Sequence, residues 1–379
     1  MRHTPRILAL IAVGTLGGAM AACGGDKADD SAAASGGPIS VKASDSACEV
    51  AKNALDAGTH VFTIQNAGSK VTEFYVYAEG DRVMGEVENI TPGLSRELRV
   101  ELPAGAYQTA CKPGMIGSGI RGALTVSGSA PALTEDVALQ QATESYSRYI
   151  TTQSEALVEK TTDFVTAVKA GDVEKSKSLF PVARTYYERI EPVAEIFGDL
   201  DPKIDGREDD ATAELPFSGF HKIEKDLWVT KDISKDGPVA DQLLTDVKEV
   251  VTKAKDEKLS PLQLANGAKE LLDEVANSKI TGEEDRYSHT DLWDFAANVD
   301  GSQAAVAALR PALEQRDPAL VKQIDTAFTA VDTELEKYRD GDGWKLQNQL
   351  SQAELKGLSD AINALAEPIS KIAGVIAKK

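Results

Sequence analysis

Cysteine, histidine and aromatic residues are all scarce in this chain of 379 residues, which has three cysteines, four histidines and 6% aromatic residues. An odd number of cysteines argues against a framework built of disulfides alone. Few aromatic side chains argue against a cleft lined with rings, the feature expected of a polysaccharide-binding protein. The sequence H-E-x-x-H, which holds zinc in many metallopeptidases, does not occur.

Basic residues are also comparatively few. Lysine and arginine number 41 against 60 aspartates and glutamates, which gives a formal net charge of −19. Such an acidic surface repels nucleic acid and attracts cations. High net charge also serves solubility alone. The charge therefore excludes a nucleic-acid partner, but it does not choose between cation binding and solubility.

The N-terminus has the pattern of a secretory signal. Two arginines precede an apolar run over 7–13, and the sequence Met-Ala-Ala-Cys ends at Cys23. The run predicts a signal peptide over 1–22 and is too short to span a membrane. Because a cysteine in this position resembles a bacterial lipobox, Cys23 is predicted to be lipidated; an ordinary signal peptide is the alternative. Residues 23–38 are rich in glycine, alanine, serine and aspartate and predict a flexible tether.

The rest of the sequence divides into two patterns. Residues 39–128 contain short β-branched and aromatic segments separated by turn sequences, which predict an antiparallel β-sandwich. After a linker over 129–136 the apolar spacing becomes helical, and it predicts an all-α helical-bundle domain over 137–379. The fold class is therefore predicted as multidomain β + α.

Several features within the second part predict helix ends. Gly171 is expected to end the first helix, Ser351 and Glu354 form a capping-box sequence, and Pro368 is expected to kink the last helix. The helices predicted between these points cover, roughly, 173–197, 237–257, 261–277, 302–315 and 318–339.

One short motif suggests a metal site. His221 and Glu224 lie three residues apart, which places an imidazole and a carboxylate on one helix face. One helical turn then presents two ligands to the same ion. The alternative is a surface helix on which the two side chains merely pair.

Acidic residues are concentrated just upstream of this motif, over 188–210. Carboxylates suit hard cations, and one added imidazole shifts the preference toward iron or zinc. Glu188 and Glu191 repeat the one-turn spacing on a segment predicted to be packed. A solvated acidic loop is the better interpretation for Asp209.

A resemblance to a known family is carried by three stretches, YYERIEPVAEIFGDLDPKIDGRED, FSGFHKIEKDLW and KITGEEDRYSHTDLWDFAANVDG. They are similar to the imelysin-like domain of the EfeO family, whose signature is G-x-H-x-x-E, and the preceding sandwich resembles a cupredoxin-like domain. The resemblance implies two helical bundles with a metal site in the cleft between them, where His221 and Glu224 are joined by carboxylates from neighbouring helices. Glu283 competes for one of these positions. The candidate carboxylates are Glu188, Glu191, Asp205 and Glu284.

The sandwich offers a second candidate site. Residues 105–115 look like the last loop of a cupredoxin, but a blue-copper centre also needs two histidines, and the sandwich has only His60. Two interpretations remain for Cys48 and Cys111. They form a disulfide, as an oxidising compartment favours, or they act with Glu73 as a second metal site, as the resemblance suggests. Thiolate ligands would make copper or zinc the ion held there.

The resemblance implies a binding protein and not an enzyme. Such a protein captures iron, ferrous or ferric, outside the cytoplasmic membrane, is held there by its lipid anchor, and delivers the ion to a membrane iron permease. The same uptake systems usually include a haem peroxidase. A metal-dependent hydrolase and a polysaccharide-binding protein are the alternatives.

Overall fold

The computed structural model describes residues 37–198 and 200–378. The predicted signal peptide, the predicted lipidation site Cys23 and nearly all of the predicted tether lie outside the described residues. The first part of the described chain consists of β-strands. They are, in chain order, β1 (Ile39–Ala43), β2 (Cys48–Val50), β3 (Ala54–Asp56), β4 (Gly58–Asn66), β5 (Thr72–Tyr77), β6 (Val83–Ile90), β7 (Ser95–Leu102), β8 (Gly105–Pro113) and β9 (Ile120–Ser127).

These strands form two sheets with the orders β2-β1-β4-β7 and β3-β9-β8-β5-β6. Apolar residues from both sheets, among them Phe62 and Phe74, meet in one core, so the sheets pack as a sandwich. Most strand pairs are antiparallel, as predicted. The pairs β1–β4 and β3–β9 are parallel, and the alternation of residues along the sequence gave no sign of this.

Strand β5 is buried along its whole length. Phe74 lies in the core between the sheets, whereas Tyr75 and Tyr77 lie on the opposite face and stack with their ring centres 5.2 Å apart. Glu86 on β6 pairs with Tyr75 and therefore shares this outer face. The outer face thus carries both aromatic and acidic side chains.

The sandwich is bonded directly to the helical part of the chain. Arg82 Nε lies 3.1 Å from a carboxylate oxygen of Glu257, and Arg96 pairs with Asp273 at 2.9 Å. The Asn266 side chain donates a hydrogen bond of 3.0 Å to a backbone carbonyl of β7. The described residues, 37–198 and 200–378, accordingly belong to one compact unit.

The second part of the chain is helical, with one small hairpin formed by β10 (Arg339–Asp340) and β11 (Gly343–Trp344). Among the described residues, two segments are π-helical turns, at Asp226–Thr230 and Val275–Lys279. The α-helices are α1 (Val137–Lys169), α2 (Val173–Glu188), α3 (Glu191–Ala194), α4 (Leu200–Ile204), α5 (Gly219–Lys225), α6 (Gly237–Asp256), α7 (Pro261–Glu274), α8 (Asp291–Arg316), α9 (Pro318–Leu335), α10 (Gln352–Ile369) and α11 (Ile372–Ile376).

The predicted helix over 173–197 is wrong beyond Glu188, where α2 ends. Pro192 has no N–H to bond the carbonyl of Glu188, and the backbone leaves the helical conformation at Ile190, with a φ of −121°. The side chain of Asn298 donates to that carbonyl instead, at 3.0 Å. Glu191 then begins a new short helix, so the two glutamates lie on consecutive helices and not on one turn.

The other signals for helix ends were interpreted correctly, but one predicted helix start was wrong. Gly171 follows α1 with a φ of +70°, and Ser351 and Glu354 form the predicted capping box of α10. Helix α10 ends one residue after Pro368, and α11 resumes the path. Helix α8 begins at Asp291, well before the predicted start at 302.

Buried apolar residues of the helices form one continuous cluster, from Leu139 in α1 to Ile376 in α11. Within this apolar surround, buried charged residues from α2, α5 and α8 are gathered together; they include Arg184, His221 and Asp294. Buried charges are expensive unless they are paired, so this cluster is the natural place to look for function.

Candidate metal centre

The glycine that opens α5 allows that helix to lie against α4. Gly219 has a φ of +69°, and a Cβ atom there would collide with the carbonyl oxygen of Ile204. Only glycine accepts both the left-handed conformation and this close approach. The first residue of the G-x-H-x-x-E motif therefore positions the helix that carries His221.

His221 and Glu224 are both buried and bond to each other, with His221 Nδ1 2.9 Å from Glu224 Oε2. The other oxygen of Glu224 accepts hydrogen bonds from the backbone N–H groups of Tyr287 and Ser288, at 2.9 and 2.7 Å. The Ser288 hydroxyl donates to the same oxygen at 2.9 Å. Glu224 is thus held from two sides and fixes the orientation of the imidazole.

The second imidazole nitrogen faces two further carboxylates. Nε2 of His221 lies 3.3 Å from Glu284 Oε1 and 3.6 Å from Asp205 Oδ1. One ligand atom from each of these three residues lies within 4.8 Å of the other two. An imidazole with two carboxylates is a donor set that suits iron or zinc.

Two buried cations, which the sequence reasoning missed, also belong to the cluster. Arg184 on α2 lies 3.2 Å from Nε2 of His221 and forms ion pairs with the carboxylates of Glu188, Asp205, Glu284, Asp285 and Asp294. Lys279, at the end of a π-helical turn, is fully buried and lies 3.3 Å from Glu188 and 3.6 Å from Glu284. Arg184 has one local partner, Glu188 at the i, i+4 spacing, but its other partners come from distant segments, so the sequence gave no sign that it is buried in this cluster.

Burial and Arg184 lower the pKa of His221, but Asp205, Glu224 and Glu284 raise it more, so that the pKa is about 10. The imidazole therefore carries a proton at neutral pH when no metal is bound. A metal ion bound at Nε2 must replace that proton.

The carboxyl groups of the cluster differ in their readiness to ionise. Burial raises the pKa of Glu284, but Lys279 and Arg207 lower it more, so that it stays well below its usual range. Burial and the neighbouring Glu188 hold the pKa of Glu191 well above its usual range. Glu284 is accordingly ionised and ready to accept a cation.

Glu188 and Glu191 form a second group with Asp205, in which one oxygen from each lies within 4.8 Å of the others. The side-chain amide of Asn298 donates to Glu188 and to Glu191, each at 3.1 Å. Nearby, buried oxygens of Asn298 and Asp294 accept no hydrogen bond from any described residue. Unsatisfied buried acceptors are unusual and fit a polar cluster that binds a cation.

The structure brings together every carboxylate that the sequence proposed for this site. Glu284 lies inside the cluster, whereas its competitor Glu283 is exposed. Asp209 is exposed and pairs with Arg286 at 2.8 Å, outside the cluster. Metal ligation by these residues remains a prediction. Asp285 and Asp294, which also line the cluster, were missed because neither falls in a spaced motif.

The second candidate site, in the sandwich, has a different arrangement. Cys48 and Cys111 are joined by a disulfide, with their Cα atoms 5.5 Å apart. Glu73 pairs with Lys112 at 3.8 Å, and its neighbour Phe74 is the residue that pairs with Cys111. Because successive strand residues point to opposite faces, Glu73 points away from the disulfide.

Comparison with known proteins matches both parts of the chain. The imelysin family model matches residues 142–372, and a cupredoxin-like domain model matches residues 9–126. Proteins named "Iron uptake system component EfeO" from Escherichia coli K12, Escherichia coli O157:H7 and Shigella flexneri are each 41% identical over 345 residues, or 89% of this chain and 91% of the relative. The chain belongs to the EfeO family.

Membership of the EfeO family agrees with a β-sheet part followed by a helical part, as the sequence predicted. The family model for the helical part also bears a peptidase label, Peptidase M75. Within residues 37–198 and 200–378, none of the helices has the length and apolar character needed to cross a membrane.

Proposed function

We propose that this protein captures iron outside the cytoplasmic membrane for an uptake system. Its relatives at 41% identity are named iron uptake system components. The observation that carries the proposal is the pairing of His221 with Glu224, which leaves Nε2 facing Glu284 and Asp205 in a buried pocket.

In the proposed binding mode, iron is held by Nε2 of His221 and by oxygens of Asp205 and Glu284. Glu188 and Glu191 supply further carboxylates next to Asp205. These mostly hard ligands favour iron over copper(I). The site therefore suits ferrous or ferric ions.

Arg184 and Lys279 neutralise part of the carboxylate charge when no iron is bound. Iron entering the pocket competes with Arg184 for Asp205 and Glu284, and it displaces the proton of His221. This competition lowers the affinity below that of a purely anionic pocket, which is useful in a protein that must later release its cargo. Delivery is to a membrane permease, and a haem peroxidase belongs to the same system.

The protein is further proposed to be lipid-anchored through Cys23. Since the described residues contain no membrane-spanning helix, the lipid would be what holds the chain at the membrane. The Cys23→Ala protein should then leave the membrane fraction, and retention of a cleaved, mature Cys23→Ala protein would contradict the anchor.

The peptidase label of the family model makes a metal-dependent hydrolase the alternative. A catalytic zinc usually has three protein ligands and an open position for water, whereas further carboxylates crowd this buried site, among them Glu188 and Glu191 beside Asp205. The relatives' names also favour transport. Peptide hydrolysis that depends on added zinc and on His221 would support the hydrolase instead.

The proposal is tested by titrating the full-length protein with ferrous iron, without oxygen, and with ferric iron as a soluble chelate. His221→Ala should weaken binding by at least about 10-fold, as loss of a ligand or its support commonly does. Asp209→Ala, the matched exposed control, should bind as the unaltered protein does. Equal affinities for His221→Ala and the unaltered protein would overturn the proposal.

A further inference from the structure

A second polar cleft lies between the sandwich and the helical part, away from His221. It has a volume of about 40 Å³, enough for an ion with one or two waters. Its walls come from β6, β7, the turn after α3 and helix α7. The lining is strongly acidic, with a single lysine; the charged residues are Glu86, Glu88, Glu97, Glu195, Lys269, Glu270, Asp273 and Glu274.

Three of these carboxylates converge. One oxygen each from Glu86, Glu195 and Glu270 lies within 4.8 Å of the others. Glu86 belongs to the sandwich, whereas Glu195 and Glu270 belong to the helical part. The group therefore exists only because the two parts of the chain are docked.

Within the described parts of the chain, the most buried member of the group has no ion-pair partner. Glu86 is 7% exposed, and its carboxylate points to the other two. The nearby Tyr75 hydroxyl lowers the pKa of Glu86, but its 3.0 Å hydrogen bond is donated to Glu88. Lys112 lowers the pKa of Glu86 from a distance and forms its ion pair with Glu73. A buried carboxylate without an ion-pair partner carries a large desolvation cost when it is ionised.

The basic residues around the cleft are engaged elsewhere. Lys269 and Arg96 both pair with Asp273. Within the described parts of the chain, no lysine, arginine or histidine nitrogen forms an ion pair with Glu86, Glu195 or Glu270. In the His221 cluster, by contrast, Arg184 and Lys279 supply this positive charge. The three converging carboxylates thus lack an ion pair with any described residue, although Lys269 and Arg96 neutralise Asp273 in the same cleft.

Burial is the main cause of the raised pKa values of all three carboxyl groups. Burial, more than any other cause, raises the pKa of Glu86 to about 7. Burial and the surrounding carboxylates hold the pKa of Glu195 and Glu270 well above the usual range. Repulsion between converging carboxylates disfavours their ionisation, and a positive charge placed between them relieves it.

We propose that this cleft binds a hard cation through the carboxylates of Glu86, Glu195 and Glu270. The bound cation bridges the sandwich to the helical part. The donors are all oxygens, the set preferred by calcium, magnesium, manganese and ferric ions. No nitrogen or sulfur is offered by these three residues, so copper(I), which prefers soft ligands, binds poorly. This site uses different residues from the proposed iron site and goes beyond it.

Glu274 connects the two sites. It lines the cleft, and its carboxylate lies 3.6 Å from Lys279, which in turn pairs with Glu188 and Glu284 of the His221 cluster. A cation in the cleft therefore changes the electrostatic potential at the His221 cluster as well as the docking of the sandwich.

The experiment measures manganese binding to the full-length protein by electron paramagnetic resonance of free Mn²⁺, with Glu86→Gln and Glu270→Gln as test variants. Each variant should bind one Mn²⁺ ion fewer than the unaltered protein, or bind that ion at least about 10-fold more weakly. Glu97→Gln is the matched control, because Glu97 lines the same cleft but is exposed and not in the converging group. Its binding should be unaltered.

Folding and the iron site are separated by two further measurements. The metal-free test variants should unfold at the same or a higher temperature than the unaltered protein, since a poorly solvated ionisable group is removed. Mn²⁺ should no longer raise that temperature as much. Glu86→Gln should cause the same loss of Mn²⁺ binding when it is introduced into the His221→Ala protein. This result is expected whether or not His221→Ala alone changes Mn²⁺ binding. Unaltered Mn²⁺ binding by Glu86→Gln and Glu270→Gln, or an equal loss in Glu97→Gln, would overturn the proposal.

Discussion

His221 donates from Nδ1 to Glu224 Oε2 over 2.9 Å, and this single contact decides which nitrogen of the ring is available. The other oxygen of Glu224 is already occupied by Tyr287 and Ser288. Glu224 can therefore keep the proton on Nδ1 and leave Nε2 for a metal ion. The i, i+3 spacing of the motif is therefore compatible with two roles for Glu224: it can position His221, or it can bind the metal ion directly.

Glu224→Gln tests the positioning role. The amide oxygen would keep the bonds from Tyr287 and Ser288, so its NH₂ group would face Nδ1 and force the proton onto Nε2. Iron affinity should then fall by about 10–100-fold, as is common when an outer partner of a ligand is lost. Calorimetric titration measures this, with the exposed Glu283→Gln as the control that should bind normally. Unchanged affinity in Glu224→Gln would mean that the tautomer of His221 does not matter.

Gly219→Ala tests the packing of α5. The new Cβ would meet the carbonyl oxygen of Ile204 in a left-handed conformation, at a cost of about 1–3 kcal/mol or more. Gly374 is the control, because it has no left-handed conformation and nothing lies within 4 Å of the place that a Cβ atom would take. Gly374→Ala should be neutral or stabilising by about 0.5–1 kcal/mol. Denaturant unfolding gives both values, and equal stability of the two variants would remove this explanation of the motif glycine.

The stability of the metal-free protein should fall as pH rises from about 5 to 8. Burial raises the pKa of Glu86, Asp201 and Asp285 to about 7 each. Groups with a raised pKa bind protons in the folded state that the unfolded chain has already released, so they lose their stabilising effect as pH rises through the folded value. His221, whose pKa is about 10 against 6.5 unfolded, acts in the same direction above pH 6.5.

Thermal unfolding at several pH values in the presence of a chelator measures this slope, and the melting temperature should drop by several degrees. Glu86→Gln should make the slope shallower, because one of the contributing groups is gone. A melting temperature that rises with pH over the same range would contradict the presence of buried, protonated carboxyls.

The oxidation state of the cysteine pair can be measured directly. Cys48 and Cys111 are bonded in the structure, so unfolded protein prepared without reductant should show no thiols from this pair. Glu73 lies on the other face of the sheet, so Glu73→Gln should leave that thiol count unchanged. Two titratable thiols would favour metal ligation and bring copper and zinc forward as ions for the sandwich.

Much of the architecture could be predicted because it depends on local patterns. Alternating and helical spacing located the sandwich and the helices, and Gly171 and Ser351 marked helix ends. The motif around His221 was visible for the same reason. What could not be predicted depends on distant contacts. Arg184 meets carboxylates from α8 and from two loops.

The Glu86 cleft has the same limitation, because it joins a strand of the sandwich to α7. The break after Glu188 had a local signal, the proline at 192, but its stabilisation by Asn298 did not. Tertiary contacts of this kind have no periodicity in the sequence, so only the folded chain reveals them.

Iron binding at Nε2 of His221 is the proposal on which the others depend. Anomalous diffraction at the iron absorption edge, from crystals of the iron-loaded full-length protein, tests it most directly. We expect a peak within coordination distance of His221 Nε2 and of Glu284 or Asp205, and its loss in His221→Ala, whether or not a second peak lies at Glu86. Iron found at other residues, with the His221 pocket still closed by Arg184, would contradict it.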